Sequence, residues 1–334
     1  MFAKRTSLQA VETSPLLAGK TLPLLVQPVG ALDANAWARS HRDSMDAMLL
    51  RHGAILFRDF GLRTPTAFES FASSIERELF GEYGDLPKKE GGSRIYRSTP
   101  YPQDQMILFH NESSHLDRWP RKQFFFCEHP AAVGGATPIV DCREVLSRLP
   151  GDLVAKLGSQ GLLYVRTFTD RLDVSWWDFF KTSDRTEVEG KLRRAGVDWR
   201  WLDEDSLQTR TRAHAIVRHP ISGERTFFNQ VQLHHASSLD PELREDLLML
   251  VGEARLPRNV YYGDGSTIAD EDMIAIGKVY EECAVRFPWQ QGDVLMLDNM
   301  LVAHARDPYE GPRKIVVAMG DMFDRSALGG DPNL

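Results

Sequence analysis

The sequence predicts a mainly β protein with flanking helices (α+β), whose strands form a sandwich or a closed barrel. Two observations predict this class. Short runs rich in β-branched and aromatic residues recur along the chain, separated by Gly and Pro turns. Helical apolar patterns are fewer, and each follows a capping residue. With 334 residues, of which 42% are hydrophobic, the chain is long enough for one large core or two small ones.

The N-terminal part predicts a helix, a strand and a second helix, in that order. Asp33 can cap a helix that ends near His52 and Gly53, because Asp accepts hydrogen bonds from the first turn. The apolar segment 54–60 follows as a short strand. Thr64 and Pro65 can start the second helix, since Thr is a good cap and Pro fits the first turn.

Strands dominate the remainder of the chain. They are expected at 106–110, 123–127, 137–140, 162–167, 226–229, 294–297 and 315–319. Two further helices are expected after Asp240 and after Asp270, where a capping residue precedes a helical apolar pattern.

Residues 168–215 interrupt the strand series with a charged and aromatic segment. Its large aromatic residues are Trp176, Trp177, Phe179, Phe180, Trp199 and Trp201. We expect these side chains to pack within the segment rather than to line a substrate cavity, because Trp and Phe bury large apolar areas.

Composition excludes several classes of protein. The net charge of -7 disfavours nucleic acid as the main partner, because phosphate binding requires a basic face. Cys127, Cys142 and Cys283 are an odd number without paired spacing, so neither a disulfide framework nor a zinc ribbon is expected. The N-terminus lacks the apolar core of a signal peptide, and no segment approaches the ~18 apolar residues of a membrane span. A cytoplasmic protein without a membrane partner is expected.

His110 and Glu112 are the first candidate metal ligands. The apolar run 106–109 predicts a buried strand that delivers His110 at its end. Residues i and i+2 of an extended chain project to the same side, which aims the side chains of His110 and Glu112 together. Two other His-x-acid triplets occur. His41 with Asp43 fits a solvated helix face, whereas His115 with Asp117 is in a loop and stays an open alternative.

His304 is the candidate third ligand, a few residues after the predicted strand 294–297. Two imidazoles and one carboxylate form the facial set that holds non-haem iron(II) and leaves three positions open. Arg313 opens the next predicted strand, expected antiparallel to the strand that carries His304. A guanidinium fork suits a carboxylate, so Arg313 could bind a keto-diacid, although a surface arginine at a turn is the alternative.

These residues carry a family resemblance. The matching passages are 52–58, 98–102, 107–115, 134–138, 292–306 and 311–319. On these passages the chain resembles the TauD/TfdA-type Fe(II)/2-oxoglutarate-dependent dioxygenases, and within them the SyrP-like branch of syringomycin biosynthesis. The resemblance implies a clavaminate synthase-like double-stranded β-helix (jelly roll). It also implies that 1–334 is a single dioxygenase domain, with a helical insertion at approximately 168–215 between the two halves of the core.

The resemblance also assigns roles to residues. It implies that His110, Glu112 and His304 are the iron ligands and that Thr137 and Arg313 hold the distal carboxylate of 2-oxoglutarate. Glu112 departs from the Asp of many relatives but can still bind iron. The short spacer after His304 leaves Lys314 as an alternative to Arg313, which we choose for its fork.

The implied reaction uses Fe(II), 2-oxoglutarate as co-substrate and O₂ to hydroxylate or desaturate an unactivated C–H. Halogenating relatives replace the carboxylate ligand with a small residue, so Glu112 argues against halogenation. The implied substrate is an amino acid in secondary metabolite (antibiotic) biosynthesis, free or tethered to a peptidyl carrier protein. A homo-oligomer is left open. Four arginines near the metal passage could meet a substrate carboxylate: Arg94, Arg97, Arg118 and Arg121.

Two other functions fit the same residues. A zinc-dependent hydrolase could use this ligand set, because imidazole and carboxylate also suit Zn²⁺, and the open position could activate water. A non-catalytic jelly-roll binding protein would bind 2-oxoglutarate, if at all, without consuming it.

Overall fold

The computed structural model describes residues 6–8, 10–81, 94–97, 101–170 and 172–328. The matching passage 98–102 therefore lies partly outside the described residues. Contacts divide the chain into two compact units. The first comprises 1–108, 120–142 and 284–323, and the second comprises 109–119, 143–283 and 324–334. No helix within the described ranges is long and apolar enough to cross a membrane. The cytoplasmic location stays a prediction.

Strands and helices both occur throughout the described chain, with several runs of consecutive strands. The strands are β1 Thr6–Leu8, β2 Val11–Pro15, β3 Leu24–Pro28, β4 Ala54–Phe57, β5 Ile95–Arg97, β6 Ile107–His110, β7 Arg118–His129, β8 Val133–Gly134, β9 Ile139–Asp141, β10 Leu162–Phe168, β11 Asp198–Trp201, β12 Leu207–Ala213, β13 Ile216–Arg218, β14 Arg225–Phe227, β15 Arg258–Tyr262, β16 Val294–Asp298, β17 Val302–Arg306, β18 Tyr309–Glu310 and β19 Lys314–Asp324. The helices are α1 Ala34–Ser40, α2 Arg42–His52, α3 Pro65–Ile75, α4 Cys142–Arg148, α5 Gly151–Gln160, α6 Trp176–Phe180, α7 Arg185–Arg194, α8 Val231–His234, α9 Pro241–Val251 and α10 Asp270–Cys283.

A large sheet dominates the first unit. Its eight strands lie in the order β1-β2-β3-β4-β16-β7-β19-β5, and a smaller sheet has the order β6-β17-β9. In the middle of the large sheet, β16 pairs antiparallel with both β4 and β7. Phe124 and Phe126 of β7 pack in one hydrophobic core with Phe68 of α3, whereas Phe125 and Cys127 pack in a second core. The large sheet is therefore buried on both faces.

The N-terminal helix is interrupted. Asp33 caps α1 as predicted, accepting from the Ala36 N–H at 3.0 Å, and α2 ends at Gly53 with φ 73°. The chain breaks at His41, because its ring stacks on Trp37 at 5.0 Å and its Nδ1 lies 2.9 Å from the Trp37 carbonyl. The sequence pattern does not predict this break, since the apolar spacing continues through it.

The second unit contains the antiparallel sheet β11-β12-β10-β15 and the hairpin β13-β14. The segment 168–215 supplies α6, α7, β11 and β12 to this unit. Its aromatic residues pack against one another as predicted. Trp176 is buried in a small core with Phe168 and Leu192, and the other aromatic side chains of the segment pack against it.

Candidate metal centre

His110 is the last residue of β6, and the residue after it is held from several sides. The Asn111 N–H donates to the Asn229 carbonyl, and the Asn229 N–H donates back to Asn111 Oδ1, both at 3.1 Å. Gln230 Nε2 donates to the Asn111 carbonyl at 2.9 Å. Asn111 is fully buried, so these bonds fix the backbone between His110 and Glu112.

Glu112 lies in the turn that follows β6 rather than in extended chain. The next residue, Ser113, has a φ of 57°, which turns the backbone away from the strand direction. Strand β6 ends at His110, so the strand alternation that was expected to align His110 with Glu112 does not reach Glu112. The turn and the bonds to Asn111 orient the Glu112 side chain instead.

His304 is in the middle of β17, buried at 6% exposure. It pairs with Ile139 of β9, and the Ala305 N–H donates to the Pro138 carbonyl at 2.9 Å. The ring of Phe125 packs against the imidazole with 4.9 Å between ring centroids. This packing restricts rotation of the imidazole ring. The backbone of β17 therefore determines where the ring nitrogens lie.

The structure brings His110, Glu112 and His304 together. One ligand atom of each lies within 4.8 Å of the others. Both imidazoles are buried, and the carboxylate is half-buried. Two imidazoles and one carboxylate on one side of a site fit Fe(II), which accepts this donor set and keeps open positions for other ligands.

The alternative pair, His115 and Asp117, is placed differently. The His115 ring packs against the rings of Tyr164 and His234, each at 5.1 Å between centroids. Asp117 is exposed, and its carbonyl accepts from the Arg325 N–H. Neither residue belongs to the cluster of ligand atoms.

Arg313 and Thr137 are hydrogen-bonded to each other. The Arg313 side chain donates from Nε to the Gly135 carbonyl at 2.9 Å and from Nη2 to Thr137 Oγ1 at 3.3 Å. Trp289 Nε1 donates to the same hydroxyl at 3.1 Å. Lys314 is exposed, so the fork at this position is that of Arg313.

The positive charge at this position is that of the half-buried Arg313 guanidinium. Burial, with a smaller effect of the neighbouring Arg306, lowers the pKa of Arg313 to about 10. This value is well above neutral pH, so the guanidinium stays charged. Because its hydrogen bonds go to neutral oxygens, the charge favours a bound carboxylate.

A loop with two consecutive glycines lies beside the Arg313 side chain. Gly134 and Gly135 both have φ of 68°. A Cβ on Gly134 would lie 2.3 Å from the Pro308 carbonyl oxygen, and one on Gly135 would lie 3.0 Å from Cδ of Arg313. The loop can approach the arginine this closely because neither residue has a side chain.

The strand after Arg313 differs from the expectation. β19 lies in the large sheet between β7 and β5, whereas the strand of His304 lies in the three-stranded sheet. The two are therefore not hydrogen-bonded neighbours. A short connection between two strands does not require pairing when two sheets are available to receive them.

The structure adds residues to the site that sequence reasoning missed. Asn229 and Gln230 bind the backbone beside His110, and Trp289 binds Thr137. No local motif marks Asn229 or Gln230, which follow β14 more than a hundred positions after His110. Of the arginines considered for a substrate, Arg121 pairs with Asp298 and Asp321, and the exposed Arg118 pairs with Asp324.

The chain is similar to known proteins over most of its length. The sequence pattern of the taurine catabolism dioxygenase TauD, TfdA family matches residues 19–319. The dapdiamide synthesis protein DdaC of Enterobacter agglomerans is 35% identical over 284 residues, covering 85% of this chain and 86% of that protein. A clavaminate synthase-like protein of Arabidopsis thaliana is 28% identical over 314 residues, covering 90% and 88%.

Solved structures share the fold. A taurine dioxygenase from Burkholderia xenovorans aligns with a TM-score of 0.51 at 18% identity, covering 93% of this chain and 89% of that one. PvcB from Pseudomonas aeruginosa aligns with a TM-score of 0.55 at 13% identity, covering 96% and 94%. These likenesses identify the fold as the jelly roll predicted from the sequence.

Proposed function

The chain belongs to the TauD, TfdA family of dioxygenases, and from this premise we propose that it oxidises a C–H bond of an amino acid in secondary metabolite biosynthesis. It is a non-haem iron enzyme that uses Fe(II), 2-oxoglutarate and O₂. The reaction proposed is hydroxylation or desaturation. We also propose that the chain is a single dioxygenase domain with an insertion at about 168–215, because the family match spans residues of both units.

The observation that carries the proposal is the cluster of His110, Glu112 and His304. We assign these three residues as the iron ligands. Bound iron and 2-oxoglutarate supply the oxidising chemistry, in which the co-substrate loses CO₂ and becomes succinate. Because Glu112 provides the carboxylate ligand, hydroxylation fits this site better than halogenation does.

The protein's own groups hold and orient the co-substrate. We assign Arg313 and Thr137 to the distal carboxylate of 2-oxoglutarate, because the guanidinium is charged and its hydrogen bonds to Gly135 and Thr137 hold it beside the Thr137 hydroxyl. Thr137 directly precedes Pro138, whose carbonyl accepts from the residue after His304. A carboxylate on Arg313 would therefore lie close to the strand that carries this ligand.

Two relatives support the substrate class by their names. DdaC is a dapdiamide synthesis protein, and PvcB is an Fe, α-ketoglutarate-dependent oxygenase from an isonitrile synthetic pathway. Both names denote biosynthetic pathways rather than catabolism. Membership of the SyrP-like branch and a carrier-tethered substrate are finer parts of the same proposal.

A polar cluster in the second unit supports recognition of a carboxylated substrate. His115, His234 and Tyr164 pack together near the charges of Arg166 and Arg258. Burial lowers the pKa of His115 to about 4 and that of His234 well below 6.5, so both rings are neutral at pH 7. His110 is among the groups whose electrostatic effect lowers the pKa of His234, so the cluster lies near a proposed iron ligand. Arg166 and Arg258 share one acidic partner, Asp173, at 2.9 Å and 3.8 Å, so the three side chains keep one net positive charge. We propose that this charge attracts the carboxylate of the amino acid.

The first test is an anaerobic titration of the enzyme with Fe(II) and 2-oxoglutarate. A weak visible band near ~500 to 530 nm is expected when the keto acid chelates iron in an open triad site. His110→Ala should abolish the band because it removes a ligand. Arg313→Met should keep the band but weaken 2-oxoglutarate binding roughly 10- to 100-fold, since it removes charged hydrogen bonds.

The outcomes separate the competing functions. If the band fails to form while Zn²⁺ binds tightly, a zinc hydrolase replaces the dioxygenase proposal. If the band forms, succinate production is then measured with free amino acids and with amino acids loaded on a carrier protein. Succinate at background level with every one of these substrates would contradict the amino-acid assignment but not the dioxygenase assignment.

A further inference from the structure

Gln123 is a buried amide that has no hydrogen-bonding partner among the residues that the structure describes. Its side chain is fully buried, and neither Nε2 nor Oε1 finds a donor or acceptor. An unsatisfied buried polar group destabilises the folded state, and an apolar side chain of the same shape would avoid this. Such a group in a native protein calls for an explanation, and a ligand is one.

The position of Gln123 on β7 shows which face it occupies. The strand pairs regularly with β16, and Gln123 lies opposite Leu297 as Phe125 lies opposite Leu295. Leu295, Leu297 and Phe125 all belong to the same hydrophobic core, and side chains two residues apart on a strand share a face. The amide therefore projects into this core among apolar neighbours.

Three residues of this face form a series along β7. The charge of Arg313 acts on Cys127, so this end of the series is near the proposed pocket for the distal carboxylate. Phe125 contacts the ring of His304 at 4.9 Å. Gln123 follows on the far side of Phe125, about 6.6 Å further along the strand. The order is carboxylate pocket, metal ligand, amide.

Building on the proposed function, we propose that Gln123 is a positioning residue for 2-oxoglutarate. Its Nε2 donates a hydrogen bond to the carboxylate at the metal end of the molecule, while Arg313 holds the carboxylate at the other end. A neutral donor is suited to this place because it adds no positive charge beside a metal cation. The co-substrate thereby satisfies an amide that the protein leaves unsatisfied.

The test replaces Gln123 with methionine, which has a similar length and no hydrogen-bonding amide. Without metal and 2-oxoglutarate, Gln123→Met should melt about 2–4 °C higher than the wild type, because it removes the unsatisfied group. In the anaerobic titration with Fe(II), it should bind 2-oxoglutarate roughly tenfold more weakly. Opposite signs in the two measurements distinguish a ligand-binding amide from a structural one.

Gln208 provides a matched control. It is also buried in a strand, but Arg200 donates to its Oε1 at 2.9 Å, and its Nε2 donates to Thr167 Oγ1 at 3.1 Å and to the Ala254 carbonyl at 2.8 Å. Gln208→Met should therefore melt lower than the wild type. Its affinity for 2-oxoglutarate should not change.

Unchanged 2-oxoglutarate affinity in Gln123→Met, alongside a normal wild-type band, would overturn this inference and leave the proposed function intact. A lower melting temperature with unchanged affinity would make the amide structural and would also overturn it. If the methionine variant fails to fold, Gln123→Leu is measured in the same way, and failure of both assigns the amide a structural role. Absence of the band in the wild type would instead contradict the proposed function itself.

Discussion

Arg313 has the surroundings expected of a residue that binds a carboxylate. Its guanidinium is held by the neutral oxygens of Gly135 and Thr137, and burial together with Arg306 lowers its pKa without discharging it at pH 7. A buried cation with neutral partners gains more from an added carboxylate than an ion-paired cation does. Arg121, which is ion-paired with Asp298 and Asp321, is the contrasting case.

His115 should make stability depend on pH. Burial, with a smaller effect of Arg258, lowers its pKa to about 4 from a usual 6.5. Between these values the unfolded chain binds more protons, so stability present above pH 6.5 is lost as pH falls towards 4. His115→Phe should reduce the loss between pH 7.5 and 5 by at most about 2 kcal/mol. Urea unfolding of the metal-free protein at both pH values measures this.

The exposed His129 provides the control for this measurement. His129→Phe should keep the part of the pH dependence that His115 contributes, because it leaves the surroundings of His115 unchanged. His234 also has a lowered pKa through burial, so part of the dependence should persist in His115→Phe. Identical pH dependence in the wild type and in His115→Phe would show that the His115 ring does not titrate in this range.

At the scale of elements, the loop between β8 and β9 sets the position of the carboxylate pocket. Gly134→Ala should weaken 2-oxoglutarate binding about tenfold, because a Cβ would lie 2.3 Å from the Pro308 carbonyl oxygen and displace the loop. It should also destabilise the protein by roughly 1–2 kcal/mol through its positive φ alone. The anaerobic titration and urea unfolding measure the two effects.

Gly223 separates conformational strain from displacement. It has a similar φ of 72°, but a Cβ there would have no heavy atom within 4 Å. Gly223→Ala should therefore show the loss of stability and normal affinity for 2-oxoglutarate. Equal affinities in the two alanine variants would mean that the loop tolerates the shift.

The ends of helices and strands show how far sequence patterns predict the structure. Helix α3 begins where predicted, because the Thr64 side chain accepts a hydrogen bond from the Ala67 N–H and Pro65 fits the first turn. β7 is longer than the predicted 123–127, since it continues through Pro120 to Arg118. Partner strands rather than local propensity fix how far a strand extends.

At the scale of the whole molecule, binding of metal and co-substrate should stabilise the fold. Ligands present at about 100 times their dissociation constants contribute about 2.7 kcal/mol. We expect the melting temperature of the transition that includes the three ligand residues to rise by several degrees with Fe(II) and 2-oxoglutarate under anaerobic conditions. Differential scanning calorimetry measures the shift.

His304→Ala tests the origin of this stabilisation. It removes a proposed ligand, so the added metal and co-substrate should leave its melting temperature nearly unchanged. An equal rise in the wild type and in His304→Ala would place the bound metal elsewhere in the protein.

The sequence by itself named the candidate donor residues and predicted most of the elements that carry them. Strand patterns placed His110 at the end of a strand and His304 after another, and the resemblance added Thr137 and Arg313. Sequence alternation along β7 also contained the signal for Gln123, a polar residue at an inward position, but the partners of its amide could not be derived from it.

Only the tertiary structure decided which donors meet. It brought Glu112 rather than Asp117 to the two histidines and Arg313 rather than Lys314 to Thr137, and it placed β19 and the strand of His304 in different sheets. The physical reason is that these choices depend on contacts between residues far apart in the chain. Local patterns report burial and periodicity, whereas hydrogen-bond partners are fixed by the way the sheets pack.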